Sequence, residues 1–376
     1  MAKKQKGLRS VLSNIDVVKE HMVDPNVDHI TEFYNMNVII LNLLYSARVN
    51  GGIPKNRITQ HAAASMTGKS FIGMGVASDA FRKGMNVVIF DTETAFGKDL
   101  ATNLGIDLND ERVSLIQTNG IEAVSEILLK INDKLTPEER LNTLYIIDSF
   151  GALVSSKMVT DKKDGKDVRD MTLTQKQNAL ANLFLVTKST FFIVNSLYVN
   201  TSGYGEKETI SGGGRIRLNS HVIAKGMGRA KDTDSAKNIT GHIMKAKSEK
   251  TRLAREDISV EYRIKNNGGL DMFYGLLPFA LEFGVVVKPK KGWISRPCID
   301  GDKNWRAKDI YCAEFWGPIF QNTDFREKLE AFFAHNSKLD IAQTTIGDVI
   351  GGDFVDGGVD SDALDVKDVD ELNDIA

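Results

Sequence analysis

The stretch Ala63-Ala64-Ser65-Met66-Thr67-Gly68-Lys69-Ser70 has the form A-x-x-x-x-G-K-S and follows an apolar, strand-like run. This form predicts a phosphate-binding loop, because backbone N–H groups of the loop and of the following helix N-terminus surround phosphate oxygens. Lys69 is expected to reach the terminal phosphates, and the Ser70 hydroxyl to bind Mg²⁺. Ala63 stands where the pattern usually has its first glycine. The competing interpretation is a chance Gly-Lys-Ser at a helix start.

Two further apolar runs end in acidic residues, as buried parallel strands do when their carboxyl ends face a nucleotide. The run 144–148 ends at Asp148, which would hold Mg²⁺ through water. The run 86–91 ends at Asp91, and Glu93 lies two residues further on. We expect the Glu93 carboxylate to polarise the water that attacks the γ-phosphate. Helix capping after the strand is the alternative for both Asp91 and Glu93, and for Asp91 it is favoured over a direct role.

The composition predicts a globular chain with no membrane span. Its 376 residues allow one large core with smaller appendages, since 42% are hydrophobic and 26% are charged. No apolar run approaches the roughly 20 residues that a transmembrane helix needs. The basic residues 1–6 lack a following apolar segment, so we do not interpret them as a secretory signal. Two cysteines, Cys298 and Cys312, suit a reducing cytoplasm and offer no metal-binding spacing.

The net charge of −2 conceals an uneven distribution. From Gly351 onward nine acids face one base, Lys367, so this tail carries −8 and residues 1–350 carry +6. A basic body with an acidic tail is common among proteins that bind polyanions. A tail that only improves solubility is the alternative.

Four regions can be distinguished along the chain. Residues 1–35 contain an amphipathic helix without a core of its own, which needs a partner surface. Residues 36–285 alternate strand-like and helix-like runs, which predicts an α/β domain with a mainly parallel central sheet and a terminal antiparallel extension. Residues 286–345 are rich in aromatic side chains and predict a small α+β domain. Residues 346–376, rich in Asp and Gly, are expected to be disordered.

Two polar segments are expected to leave carboxyl ends of strands on the same side of the sheet. The first shows no apolar periodicity and is interpreted as a mobile basic loop, while the second combines glycines with tyrosines. Charges that contact phosphates and rings on which bases stack are what single-stranded nucleic acid needs. A solvated surface loop is the alternative for the charge run alone. The candidate DNA-binding residues are Lys157, Lys162, Lys163, Lys166 and Arg169 in the first segment, and Tyr198, Tyr204, Lys207, Gly212, Gly213, Arg215 and Arg217 in the second.

The order of these motifs resembles that of the RecA-type strand-exchange recombinases, and more closely the UvsX-type recombinases of T-even-like phages. The resemblance is carried by the phosphate loop, Asp91-Thr92-Glu93, Ile146-Ile147-Asp148-Ser149, Ile193-Val194-Asn195 and Gly212-Gly213-Gly214. Further along, Trp305-Arg306-Ala307-Lys308-Asp309 and Phe315-Trp316-Gly317-Pro318 are similar to the C-terminal part of the phage proteins. The similarity covers about residues 30–335.

The resemblance implies a RecA-like P-loop ATPase core and a role for several positions. Residues 63–70 would bind ATP with Mg²⁺, Glu93 and Lys69 would be catalytic, and Asp148 would be the Walker B acid. In this family ATP lies between protomers, so basic residues of a neighbour complete the site. Lys247 and Lys250, which follow a strand expected at 241–246, match the region that supplies them.

The same resemblance assigns residues about 156–169 and 197–213 to two DNA-binding loops. It also implies that the N-terminal helix packs on the adjacent protomer. Two positions depart from the family pattern. Leu100 stands where an aromatic residue that stacks on adenine is expected, and Ser196 stands where RecA-like proteins place a glutamine that senses the γ-phosphate. A serine hydroxyl cannot span the same distance, so sensing would run through water or through Asn195.

The function implied is an ATP-dependent DNA recombinase that forms filaments on single-stranded DNA and exchanges strands with a homologous duplex, in phage recombination, repair and replication. Its partners would be single-stranded and duplex DNA, further copies of itself, and a mediator or single-strand-binding protein in the host cytoplasm. A hexameric RecA-core helicase is one alternative, because rings and filaments can share this core. A mediator that binds ATP and DNA but turns over little is another, although intact Lys69, Glu93 and Asp148 disfavour it.

Overall fold

The computed structural model describes residues 30–94, 96–164, 170–199, 208–234, 236–301 and 303–335, together with Leu12 and Ile15. Apart from those two positions, the predicted N-terminal helix lies outside the described residues. So does the whole acidic tail, whose predicted disorder stays a prediction. Parts of both predicted DNA-binding loops, at 165–169 and 200–207, are outside as well.

A ten-stranded sheet runs through the described part of the chain, and six of its strands are parallel. In order across the sheet these six are β9 (Val222–Thr233), β3 (Ile58–Ala63), β7 (Thr190–Val199), β6 (Thr143–Asp148), β4 (Asn86–Asp91) and β5 (Val113–Gln117). Every residue of β3 and of β6 is buried, as expected for parallel strands covered on both faces. The predicted RecA-like α/β fold with a mainly parallel sheet is confirmed.

Beyond β9 the sheet continues antiparallel, as predicted, through β10 (Ile239–Thr251), β11 (Ser259–Lys265) and β12 (Gly269–Leu270). The pairing of β10 with β9 has three register shifts, two of them after Met244. Such bulges interrupt the alternation of inward and outward side chains. The strand nevertheless continues past Ala246, where the sequence pattern predicted its end, and its buried positions beyond that point hold Ser248 and Thr251, which give no apolar signal. The prediction that Lys247 and Lys250 follow the strand is therefore wrong.

Shorter strands complete the topology. The strand β8 (Glu208–Ile210) pairs antiparallel with the end of β7. Two small antiparallel pairs lie outside the main sheet, β1 (Phe33–Tyr34) with β2 (Ile53–Pro54), and β13 (Trp293–Ser295) with β14 (Asn304–Arg306).

Helices cover both faces of the sheet. In chain order they are α1 (Ile39–Ser46), α2 (Lys69–Arg82), α3 (Lys98–Asn103), α4 (Ile121–Lys134), α5 (Pro137–Leu141), α6 (Ser156–Lys163), α7 (Leu173–Thr187), α8 (Gly214–Asn219), α9 (Leu277–Glu282), α10 (Pro297–Asp300), α11 (Ala313–Asn322) and α12 (Phe325–Phe333). Side chains of α1 and α2 share one apolar cluster with Ile146, whereas those of α4 and α7 share the other with Ile147. Adjacent residues of β6 thus face opposite layers, as strand geometry requires.

The C-terminal segment packs into the larger of these two clusters. The side chains of Phe315, Trp316, Phe325 and Phe333 are buried together with those of α1 and α2. The boundary predicted at residue 285 therefore falls within one continuous apolar cluster of the compact unit that ends at His335.

Candidate functional site

The loop between β3 and α2 has the backbone that a phosphate-binding loop requires. Met66 and Gly68 have positive φ angles of 62° and 77°, and Lys69 is the first residue of α2. A Cβ at Gly68 would collide with the side chain of Ile264, so glycine is needed both for its conformation and for space. The free N–H groups at the start of α2 point toward the loop, which makes this helix end a site for anions.

The side chain of Lys69 lies across this loop. Its Nζ donates to the carbonyl of Ala64 at 2.8 Å, and the Thr67 hydroxyl donates to the same carbonyl at 2.7 Å. Burial lowers the pKa of Lys69, and the negative charges of Asp148 and Glu93 oppose this effect. The three charged groups are therefore close enough to interact, as the sequence predicted for one catalytic edge.

Asp148 is the most constrained acid of this edge. It ends β6 directly beside Asp91 of β4 and Val194 of β7, and only 4% of it is exposed. Burial raises the pKa of Asp148 to about 6, while a hydrogen bond from the Ser70 hydroxyl opposes the rise. Its Oδ2 atom is buried and has no hydrogen-bond partner among the described residues. An unpaired buried carboxylate oxygen next to a hydroxyl fits Mg²⁺, which prefers oxygen ligands.

Glu93 is held in place by a residue that the sequence did not single out. The Ser149 hydroxyl donates to Glu93 Oε1 at 2.8 Å, and Ser149 is itself fixed to Thr92. The Ser149 N–H donates to the Thr92 hydroxyl at 2.7 Å, and that hydroxyl donates to the Ser149 carbonyl at 3.1 Å. The position of Ser149 next to the predicted acid Asp148 was the available signal.

Asp91 is hydrogen-bonded to the backbone of the turn that contains Glu93. Its carboxylate accepts hydrogen bonds from the backbone N–H of Phe96 at 3.0 Å and of Glu93 at 3.3 Å. These contacts agree with the capping role that the sequence favoured for Asp91.

The two candidates for γ-phosphate sensing lie on opposite faces of β7. Ser196 is opposite Ala63 in the β3–β7 register and shares its face with Val194, which packs with α2. The Asn195 amide is buried on the other face, where its Nδ2 donates to the Ser211 carbonyl at 2.8 Å and to Gln60 Oε1 at 3.3 Å. Of the two side chains, that of Ser196 lies on the face of β7 covered by α2, whereas the Asn195 amide lies on the other face.

The first predicted DNA-binding segment begins with a helix rather than a loop. Its residues 156–163 form α6, whose N-cap Ser155 accepts a hydrogen bond from the Met158 N–H at 3.3 Å. No residue of α6 is buried, so this helix needs no apolar periodicity, and the prediction of a mobile loop over these residues is wrong. Lys157, Lys162 and Lys163 lie on α6. The positive charges of Lys162 and Lys163 in the last turn stabilise the C-terminal end of this helix. Lys166 and Arg169 lie outside the described residues.

The described part of the second segment places Tyr198 and the glycines at the same edge of the sheet. Tyr198 pairs with Thr209 between β7 and β8, and 53% of it is exposed. Gly212 and Gly213 have φ angles of 98° and 80°, and a Cβ at Gly212 would collide with the ring of Phe150. The exposed residues Arg215 and Arg217 follow on α8, while Tyr204 and Lys207 lie outside the described residues.

Lys247 and Lys250 do not reach the phosphate loop of their own chain. In the sheet register Lys250 is level with Ile223 and Gln60, three residues before the end of β3. Its Nζ donates to the carbonyls of Arg217 and Leu218 at 3.0 and 2.8 Å, and burial lowers its pKa. Lys247 pairs with Asp257 at 2.7 Å.

The sheet order and the loop at its carboxyl edge define a RecA-like α/β fold. Residues 31–271 match the family model described as the RecA N-terminal domain, so the chain belongs to the RecA family. Residues 273–329 match the model described as the C-terminal domain of the bacteriophage T4 recombination and repair protein. The predicted resemblance to RecA-type and UvsX-type proteins is confirmed.

Individual relatives agree with both matches. The chain is 28% identical over 319 residues to the "Recombination and repair protein" of Enterobacteria phage T4, with 80% of each chain covered. It is 26% identical to the "Protein RecA" of Cytophaga hutchinsonii, covering 74% of this chain and 76% of the relative. It is 27% identical to the "Protein RecA" of Chlorobium limicola, covering 65% and 68%. Among the described helices, none has both the length and the apolar character that crossing a bilayer requires.

Proposed function

We propose that this protein is an ATP-dependent DNA recombinase that assembles as a helical filament on single-stranded DNA and exchanges strands with a homologous duplex. One observation carries the proposal, namely that the phosphate loop, two acids and the stems of two basic or aromatic segments converge at one edge of the sheet. The similarity to a phage recombination and repair protein over 80% of both chains supports it. We also propose phage recombination, repair and replication as the process, and the host cytoplasm as the compartment.

ATP is the proposed substrate, with Mg²⁺ as cofactor. Residues 63–70 would surround the phosphates through loop N–H groups and the start of α2, and Lys69 would contact the terminal phosphates. Ser70 and Asp148 would hold Mg²⁺, and the unpartnered Asp148 Oδ2 supports this assignment. Bound Mg²⁺ supplies positive charge against the phosphate oxygens.

Glu93 is the proposed general base for the attacking water. A carboxylate can accept the proton of this water and orient its lone pair, provided that the carboxylate is fixed. The hydrogen bond from Ser149 restricts Glu93 Oε1 to one position, and we propose that the other oxygen accepts the proton. Lys69 would stabilise negative charge that develops on the phosphates.

The DNA contacts would divide into charge and stacking. Lys157, Lys162 and Lys163 present ammonium groups on an exposed helix, which suits phosphates. The exposed ring of Tyr198 is suited to stacking with a base. We further propose that a neighbouring protomer supplies Lys247 and Lys250 to the ATP site, and that a mediator or single-strand-binding protein assists loading.

Negative-stain microscopy with single-stranded DNA and a non-hydrolysable ATP analogue tests the proposal. We expect helical filaments with the unchanged protein and none with Lys69→Ala. Closed rings would favour the helicase alternative. A parallel assay of ATP hydrolysis should show stimulation by single-stranded DNA, and binding without stimulated hydrolysis would favour the mediator alternative.

A further inference from the structure

Gln60 is a fully buried polar residue in the strand that leads into the phosphate loop. It lies on β3, three residues before Ala63, and none of its surface is exposed. A buried amide needs hydrogen-bond partners, because leaving one unpaired in the interior destabilises the fold. The partners of Gln60 come from two elements, β7 and α8, that flank the second predicted DNA-binding segment.

The first set of contacts joins β3 to the end of α8. Gln60 Nε2 donates to the Ser220 hydroxyl at 2.7 Å and to the Ile216 carbonyl at 3.1 Å. Ser220 in turn donates from its hydroxyl to the Ile216 carbonyl at 2.7 Å. The amide of Gln60 is therefore hydrogen-bonded directly to the last turn of α8.

The second contact joins β3 to both stems of the segment between β7 and α8. Gln60 Oε1 accepts from Asn195 Nδ2, and the same nitrogen donates to the carbonyl of Ser211 at 2.8 Å. Asn195 Oδ1 accepts from the Ser196 N–H at 2.9 Å, and the Ser211 N–H donates to the Ser196 carbonyl at 3.0 Å. Asn195 thus clamps the start and the end of the segment, and Gln60 connects this clamp to β3.

The turn that follows Asp148 packs against the same clamp. A Cβ at Gly151 would lie 2.7 Å from Ser211 Cβ and 3.1 Å from Asn195 Oδ1. A displacement of this turn toward the clamp would therefore move Asn195 or Ser211. Densely packed and fully hydrogen-bonded groups of this kind shift between discrete arrangements rather than deforming gradually.

We propose that Gln60 is a positioning residue that couples the nucleotide edge to the DNA-binding segment through Asn195 and α8. This inference rests on the proposed function and adds a specific residue to it. Gln60 contacts neither phosphate nor DNA. It transmits the position of β3 to the two stems, so that nucleotide at the end of β3 and DNA on the segment favour the same arrangement.

The substitution Gln60→Met removes the amide, keeps the side-chain length and leaves the remaining groups paired. Asn195 Nδ2 retains Ser211, and the Ser220 hydroxyl retains Ile216. The matched control is Thr59→Val on the same strand, because the Thr59 hydroxyl is buried and has no hydrogen-bond partner among the described residues. The substitution Ser220→Ala removes one partner of Gln60 and serves as a second test.

ATP hydrolysis measured with and without single-stranded DNA decides the question. Coupling between two sites typically changes affinities or populations 5- to 150-fold. We expect Gln60→Met to reduce the stimulation by DNA at least fivefold, with KM for ATP and the DNA-free rate within twofold of the unchanged protein. Thr59→Val should retain full stimulation, and Ser220→Ala should lose part of it.

Retained stimulation in Gln60→Met, or an equal loss in Thr59→Val, would overturn the inference. If Gln60→Met does not fold, full stimulation in Ser220→Ala would overturn it instead. Failure of the proposed function gives a different result, because the unchanged protein itself would then show no stimulation by DNA.

Discussion

Two buried charged residues, Asp148 at the proposed nucleotide-binding edge of the sheet and Arg296 in the C-terminal segment, have very different surroundings. Asp148 is buried with a raised pKa and an oxygen that has no hydrogen-bond partner among the described residues. Arg296 is equally buried, with 2% exposed, yet its guanidinium forms an ion pair with Asp300 and donates to the carbonyls of Glu314 and Phe315.

Aromatic rings complete the surroundings of Arg296. Its guanidinium carbon lies 5.0 Å from the centre of the Trp305 ring and 4.9 Å from that of Phe315. Such contacts stabilise a desolvated cation. A satisfied buried charge contributes to folding, whereas an unsatisfied one is retained at a cost and indicates a site for something else to bind. The comparison therefore separates a structural centre from a functional one.

The largest effect is expected at the functional edge, for Glu93→Gln. Turnover of ATP with single-stranded DNA should fall by about 10²- to 10⁴-fold, because an amide cannot accept the proton of the attacking water. Affinity for ATP and for DNA should stay within threefold, whereas Lys69→Ala should lose nucleotide affinity. Steady-state hydrolysis and equilibrium binding measure both. Hydrolysis at the unchanged rate in Glu93→Gln would show that the base is another residue.

At the structural centre, Arg296→Met should reduce the free energy of unfolding by about 3 kcal/mol, because it removes the cation paired with Asp300, which keeps the hydrogen bond from Trp305 Nε1, and also removes the cation–π contacts. Urea denaturation measures this loss, and hydrolysis per folded molecule should not change. Arg306→Met is the matched control, since Arg306 is an exposed cation 5.7 Å from the Trp293 ring centre. Its expected loss is below about 1 kcal/mol. Equal losses in both variants would show that the burial and pairing of Arg296 add no stability beyond that of an exposed arginine.

In contrast to Arg296→Met, Asp148→Asn is expected to increase the free energy of unfolding in the absence of nucleotide. The folded-state pKa of Asp148, about 6, lies above its ordinary value of 3.8, so the folded chain binds this proton more tightly than the unfolded chain. The destabilisation caused by Asp148 therefore grows as the pH rises from 4 to 6 and is complete above pH 6. Asp148→Asn should increase the free energy of unfolding by on the order of 2 kcal/mol at pH 8, with no gain below pH 4.

Urea denaturation at a series of pH values measures this gain. With Mg²⁺ and ATP the unchanged protein should be the more stable of the two, because the asparagine of Asp148→Asn supplies no charged ligand. A loss of stability at pH 8 without nucleotide would mean that the buried Asp148 is satisfied, as Arg296 is.

The smallest effect is expected for exposed charges, which are neither desolvated nor paired in a core. Lys162→Ala with Lys163→Ala should flatten the dependence of log affinity for single-stranded DNA on log salt by about 0.7 per lost phosphate contact. Tyr198→Ala should instead weaken binding by about 1–3 kcal/mol with the slope unchanged, if a base stacks on its ring. Fluorescence titrations at several salt concentrations distinguish the two. Unchanged slope and affinity in all variants would leave these residues as plain surface.

The sequence alone was sufficient to predict the mainly parallel sheet and to place three candidate residues at one of its edges. The fold class follows from apolar runs that alternate with helical patterns, and Lys69, Glu93 and Asp148 follow from their positions at the ends of those runs. These signals are local, because a strand end or a loop preceding a helix is encoded by neighbouring residues.

Only the tertiary structure decided which side chains meet across the sheet. The bond from Ser149 to Glu93 and the link between Gln60 and Asn195 join residues 56 and 135 positions apart, so they depend on strand register. Beyond Ala246 the buried positions of β10 hold the polar residues Ser248 and Thr251, and α6 formed on an exposed surface with a serine cap. Register, bulges and exposed helices leave little trace in hydrophobic periodicity, because periodicity records burial on one face and not the partner that covers it.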